Sequence, residues 1–170
     1  MSTQLSRNEA TRTTVDTTLQ FRLEVVVIPI ADFDRAKDFY ANVLGWRVDA
    51  EANLDSGYRL MQVTPPGSST SVIFGTQVTA AQAGSSDGLL LAVGDIQTGR
   101  EHLRSRGVDV SEVFHDAGGG RGGGFHIGDE QRSSGADPER RSYASYASFK
   151  DPDGNRWILQ EITERLPGRI

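Results

Sequence analysis

Apolar and polar positions along the chain fall into two successive blocks of the same order. The first opens with 22–30 (RLEVVVIPI), a continuous apolar run suited to a buried strand. Asp32 or Asp34 then caps a helix carrying Phe33, Ala36, Phe39, Tyr40, Val43 and Leu44 at helical spacing, stopped by Gly45. Three short strands are predicted at 46–50, 58–64 and 71–74, with Pro65-Pro66-Gly67-Ser68 turning between the last two. Residues 78–87 are small and polar and read as a linker.

The second block starts at 88–93 (GLLLAV). Asp95 caps a helix marked by Ile96 and Leu103 and ended by Gly107, and 108–114 forms a strand. Two runs rich in aromatic and β-branched residues, 142–150 and 156–163, flank Asp151-Pro152-Asp153-Gly154. In that turn the first Asp bonds back to the backbone, Pro sets φ and Gly takes the last place, so the segment reads as a β-hairpin. The order β-α-β-β-β therefore occurs twice. It predicts an α+β fold of two βαβββ modules, 21–77 and 88–164, within one domain spanning 21–166.

Residues 116–141 interrupt the second block. Their glycines (AGGGRGGGF) invite a phosphate-loop reading, but no Gly-Lys-Ser/Thr follows and no helix starts there, so the segment reads as a long surface loop. Loops of this length often serve as lids or stay disordered. Residues 1–20 are Ser/Thr-rich without an apolar core, which fits a disordered tail or an added surface strand and not a secretory signal or anchor.

Composition narrows the function classes. The 170 residues carry a net charge of -5, which argues against nucleic acid as the main partner. No apolar run approaches the roughly 18 residues needed to span a membrane. The absence of Cys removes disulfides, thiolate metal sites and cysteine nucleophiles. A cytoplasmic location is the default expectation.

The doubled order, the stretch from Ala31 to Tyr40 (ADFDRAKDFY) with Leu44-Gly45-Trp46, and the Asp151-Pro152-Asp153-Gly154-Asn155 turn together resemble the vicinal oxygen chelate superfamily over about 21–164. That group includes glyoxalase I, extradiol dioxygenases, fosfomycin-resistance transferases and bleomycin-binding proteins. The resemblance implies curved sheets paired into a cup around a small molecule, and association into a homodimer. It also places the superfamily's metal ligands at Val25, Gly88 and Ile158, where His, Gln or Glu would be required. Methyl groups and a bare Cα cannot coordinate a hard or borderline cation. Glu24 and Asp87 stand one residue away, on the opposite strand face unless a bulge intervenes. Neither a metal nor a cofactor is expected.

Alternation taken from Ile158 turns Gln160 inward, together with Ser142, Ala144, Tyr146 and Ser148 on the facing strand. Arg59 and Gln62 have opposite parity, so at most one of them faces the cup. Val25, Gly88 and Ile158 complete the expected ligand-binding set. Two residues are candidates for proton transfer: His115 at a strand end, because imidazole titrates near neutrality, and Tyr146, as a phenolic donor. A surface His and a Tyr anchoring the sheet are the structural alternatives. His126 and His102 are weaker candidates. Arg140 and Arg141 suit an anion if the loop folds over the cup, and are otherwise a solvated basic pair. Glu161 points away from the cup by parity.

Four functions follow, the last of them a subunit or regulatory scaffold whose sheets serve association only. The first is a metal-free protein binding a small apolar or aromatic molecule. The second is a metal-independent isomerase, lyase or cyclase using His115 or Tyr146. The third is a metal-dependent lyase or dioxygenase with relocated ligands.

Overall fold

The computed structural model describes residues 19–120, 123–126 and 128–167. The expected tail at 1–20 therefore lies almost wholly outside the described residues. In the first block, β1 (Val25–Val27) leads into α1 (Phe33–Lys37), which continues as a wider helical turn over Asp38–Val43. The strands β2 (Arg47–Asn53), β3 (Arg59–Thr64) and β4 (Ser71–Thr76) follow. The second block contains β5 (Leu89–Val93), α2 (Ile96–Ser105), β6 (Phe114–Asp116), β7 (Arg132–Ser134), β8 (Ser145–Lys150) and β9 (Arg156–Glu161). Sheet one has the order β1-β4-β3-β2, and sheet two β5-β9-β8-β6-β7. In both, the first strand lies parallel to the last, so the two sheets share one topology apart from β7.

The helix starts follow from their caps. Asp32 accepts from the Arg35 amide and Asp95 from the Thr98 amide, each satisfying a donor with no partner inside its helix.

Two expectations are corrected. The long segment after β6 is not a plain loop, because it contributes β7 and a single 3-10 turn, Gly123–Phe125. Residues 108–114 are not a continuous strand. Val108, Val110 and Val113 are buried anchors, but only Val110 forms a bridge, to Phe149, before β6 begins. Apolar spacing there reports burial without a ladder.

The sheets pack face to face, with α1 between them. Phe74 of sheet one packs against Phe33 and Tyr40, while Phe149 and Trp157 of sheet two pack against Phe39 and Tyr40. Trp46 meets Trp157 edge-on at 5.1 Å. One hydrophobic core thus takes alternate residues from both sheets, Met61, Val63 and Val72 on one side, Ala147 and Leu159 on the other.

The Asp-Pro-Asp-Gly-Asn turn locks this packing. Asp151 accepts from the Asp153 and Asn155 amides and, through Oδ2, from Asn155 Nδ2 and the Tyr40 hydroxyl at 2.7 Å. Asn155 Nδ2 also donates to the Pro29 carbonyl, and its Oδ1 accepts from the Ser86 amide. Asp153 accepts from the Ala31 amide and from Arg35. The two motifs that stand out in the sequence are therefore two halves of one buried contact. Burial first, then the Asp151 charge, push the Tyr40 phenol far above its ordinary range, so it stays a donor.

Candidate functional site

Because each sheet gives one face to the shared core, the residues of opposite parity line outer faces that point away from each other. On sheet one the outer face carries Val25, Val27, Leu60, Gln62 and Ile73, fixed by the pairs Val25↔Ser71, Val27↔Ile73 and Gln62↔Ile73. Gln62 therefore faces outward on this sheet. Arg59 does not: it lies on the helix side, bidentate to Asp34 at 2.9 and 3.1 Å, with its guanidinium 3.9 Å from the centre of the Phe33 ring. Its charge is committed to α1, which removes it from the expected ligand-binding set.

A polar cluster that parity alone did not reveal sits beside Val25. The Thr64 hydroxyl bonds to the Asp49 carboxylate and to the Ser71 hydroxyl, the latter at 2.7 Å. Hydrogen bonds from Arg47 and then Thr64 hold the Asp49 carboxyl below its ordinary range. Asp49 falls in the register shift between Val48 and Ala50, and that irregularity is what aims it at Thr64.

On sheet two the outer face carries Gly88, Leu90, Tyr146, Ser148, Ile158 and Gln160, tied together by Leu90↔Ile158, Ser148↔Ile158 and Tyr146↔Gln160. The parity expected for these residues holds, but their accessibility does not. The insertion between β6 and β7 returns across this face. A Cβ on Gly124 would stand 2.4 Å from Cδ1 of Tyr146, so only a bare Cα fits, and Arg156 donates to the Gly124 carbonyl. Tyr146 and Ile158 are fully buried beneath it, in a small cluster with Phe114. The Tyr146 hydroxyl donates to the Tyr143 carbonyl at 2.6 Å, and Gln160 donates to the same carbonyl at 3.0 Å. In this arrangement Tyr146, Ile158 and Gln160 support the face from below.

His115 takes the opposite side. It pairs with Ser145 and Ser133 and so faces away from Phe114 and Tyr146, with Nδ1 2.9 Å from the Gly135 carbonyl. It borders an open cleft of about 260 Å³ together with Asp137 and Arg141. The two residues suggested for proton transfer are not brought together. His126 lies 3.9 Å from Asp116, and His102 is exposed on α2.

Arg140 and Arg141 are already ion-paired within the chain, although Arg140 stays half exposed. Arg140 pairs with the fully buried Glu161 and with Asp95, and Glu161 also accepts from the Ile96 amide at the start of α2. These bonds hold Arg140 at φ 51°, a left-handed conformation uncommon outside glycine. Arg141 is bidentate to the buried Asp137 and holds that carboxyl well below the usual range. Glu161 points away from the outer face, as its parity requires, yet it is buried, because the inner face is the core.

The positions that would carry metal ligands do not assemble a donor set. Val25 lies on one outer face and Gly88 with Ile158 on the other, and none of them offers nitrogen or oxygen from its side chain. Asp87 is ion-paired to Arg156. Among the described residues, no three His, Asp or Glu side chains converge.

The sheet topology and the turn contact agree with a sequence-family match over residues 22–159, to the Glyoxalase/Bleomycin resistance protein/Dioxygenase superfamily. The chain belongs to that superfamily. Among solved structures it is similar to TnmS3, an antibiotic binding protein from Streptomyces sp. CB03234, with 26% identity and a TM-score of 0.57 over 83% of this chain and 95% of that one. A glyoxalase/bleomycin resistance protein from the same organism shares 27% identity with a TM-score of 0.55, covering 82% and 99%. UcmS2, at 22% identity and a TM-score of 0.58 over 84% and 99%, shares the fold. No curated protein matches the chain. Among the described residues no helix is long and apolar enough to cross a membrane.

Proposed function

We propose that this glyoxalase-superfamily protein binds and sequesters a small apolar or aromatic molecule without a metal, on the outer sheet faces of a homodimer. The observation that carries the reading is the chemistry of those faces. Where a metal enzyme of the fold needs imidazole or carboxylate, this chain has Val25, Gly88 and the buried Ile158, and the accessible neighbours Val27 and Leu90 are aliphatic. Such a surface favours dry, apolar contact, as small-molecule sites generally do. The likeness to a structure described as an antibiotic binding protein supports binding of a small molecule.

A second copy completes the site. One chain carries two half-faces that point apart, so a ligand enclosed on both sides needs the module-one face of one copy opposite the module-two face of the other. The edges of β1 and β5, unpaired among the described residues, are the surfaces for that union, and Phe21 and Leu23, exposed just ahead of β1, add apolar area there. The proton-transfer alternative draws no support from the placement of His115 and Tyr146 on opposite faces.

The test is a thermal-shift screen of aromatic and antibiotic classes, followed by calorimetry and sedimentation. Saturable binding by a dimer is expected, with stabilisation that grows with ligand concentration. A protein that stays monomeric and is stabilised by no class would refute the proposal.

A further inference from the structure

The insertion that seals Tyr146 and Ile158 also delivers a new side chain to the same face. We infer that Phe125 is the specificity-determining residue of the module-two face, the flat wall on which a planar aromatic ligand stacks; this rests on the binding function proposed above.

Gly124 lies flat on the Tyr146 ring, and the very next residue projects outward. Phe125 remains half exposed, while the aromatic residues below it are covered. One edge of its ring lies against Gly88, where a Cβ would stand 3.8 Å from Cδ1 of Phe125. Gly88 sits at φ 80°, so a side chain there would strain the backbone, while its Cβ would make only ordinary contact with the ring. Leu90, two residues on and on the same face, extends the apolar surface beside the edge of β5, which is unpaired among the described residues. A ligand approaching this face therefore meets Phe125 and Leu90, and not the Tyr146 phenol. An aromatic face rewards planar partners through offset stacking beyond simple area burial, whereas a globular hydrocarbon gains only the area. That difference makes the residue selective as well as adhesive.

Calorimetry with naphthalenesulfonate as the planar probe and adamantanecarboxylate as the globular one tests this on the intact protein, F125A, F125L and Y146F. Melting temperatures confirm that each variant is folded. The intact protein should prefer the planar probe. F125A should bind it about tenfold more weakly, and F125L should lose the preference while keeping the globular probe. Y146F should bind both as the intact protein does. Unchanged planar binding in F125A, or a loss confined to Y146F, would overturn the inference and leave the binding function standing. Binding of neither probe by the intact protein would also overturn it, and the broader function falls only if the wider screen fails too.

Discussion

Tyr40→Phe removes a single oxygen from the contact between the two modules. That hydroxyl donates to Asp151 at 2.7 Å and accepts from the Trp157 indole at 3.0 Å. The ring stays, with its neighbours Trp46 and Phe74 each at 5.3 Å between centroids, so packing is conserved and the change reports the hydrogen bonds. A bond to a charged acceptor contributes about 1.5–3 kcal/mol, and stranding a buried indole N–H adds roughly 1 kcal/mol. Asp151 keeps three other donors, from Asp153 and Asn155, which limits the total loss to about 3 kcal/mol. In a chain of this size that corresponds to a fall of roughly 6–12 °C in melting temperature. The assay is urea unfolding followed by the fluorescence of Trp46 and Trp157, both in the core, with an unchanged m-value expected. Tyr146→Phe is the internal comparison. It loses a bond donated to a neutral carbonyl and a long one accepted from Gln160, and should fall by only about 1 kcal/mol. A Tyr40→Phe loss below about 0.5 kcal/mol, or one no larger than that of Tyr146→Phe, would refute the reading of the turn as the lock between modules.

Gly124→Ala drives a methyl group into the Tyr146 ring and should destabilise by about 1–3 kcal/mol in chemical denaturation, as overpacking generally does; a neutral effect would show that the insertion does not rest there. Arg140→Met leaves the buried Glu161 carboxylate with the Ile96 amide and without its cation. A loss of about 2–3 kcal/mol is expected, below the usual range for a broken buried pair because Arg140 is half exposed. Acid should weaken the fold in a defined window. The Thr98 amide and Arg140 hold Asp95 at about 2, and Arg141 holds Asp137 lower still, against about 3.9 in an unfolded chain. Both pKa values are depressed on folding, so their stabilisation is complete above about pH 5 and is lost as pH falls from about 4 towards 2. Melting temperature should be flat from pH 7 to 5 and drop below 4, less steeply in Asp137→Asn; an equal slope in that variant would contradict the assignment.

Much of the fold was legible because two signals coincide with burial. The caps Asp32 and Asp95 mark helix starts, and alternation in β3, β4, β8 and β9 separates core from outer face. Strand β7 was hidden because Arg132-Ser133-Ser134 has no apolar alternation. It is held by its pairing with β6 and by Arg132, whose guanidinium lies 4.2 Å from the centre of the Phe114 ring. Parity grouped Tyr146, Ser148, Ile158 and Gln160 on one face and left Arg59 and Gln62 open, but parity is local and cannot say that two sheets sharing one core turn their other faces apart. Nor could it show Tyr146 being covered, since the glycines around Gly124 carry no period, and the signal is a close approach visible only in three dimensions. Arg140 and Arg141 read as an anion site or a solvated pair for a related reason: their partners Glu161 and Asp137 are buried acids, which neither parity nor loop position reveals.

Metal independence is tested most directly by calorimetric titration of the ligand found by screening into protein stripped with a chelator, and again with Zn²⁺, Ni²⁺, Fe²⁺ or Mn²⁺ restored. Faces built around Val25, Gly88 and Ile158 predict one affinity and one stoichiometry throughout. Binding that vanishes on stripping and returns with a single cation would contradict that prediction.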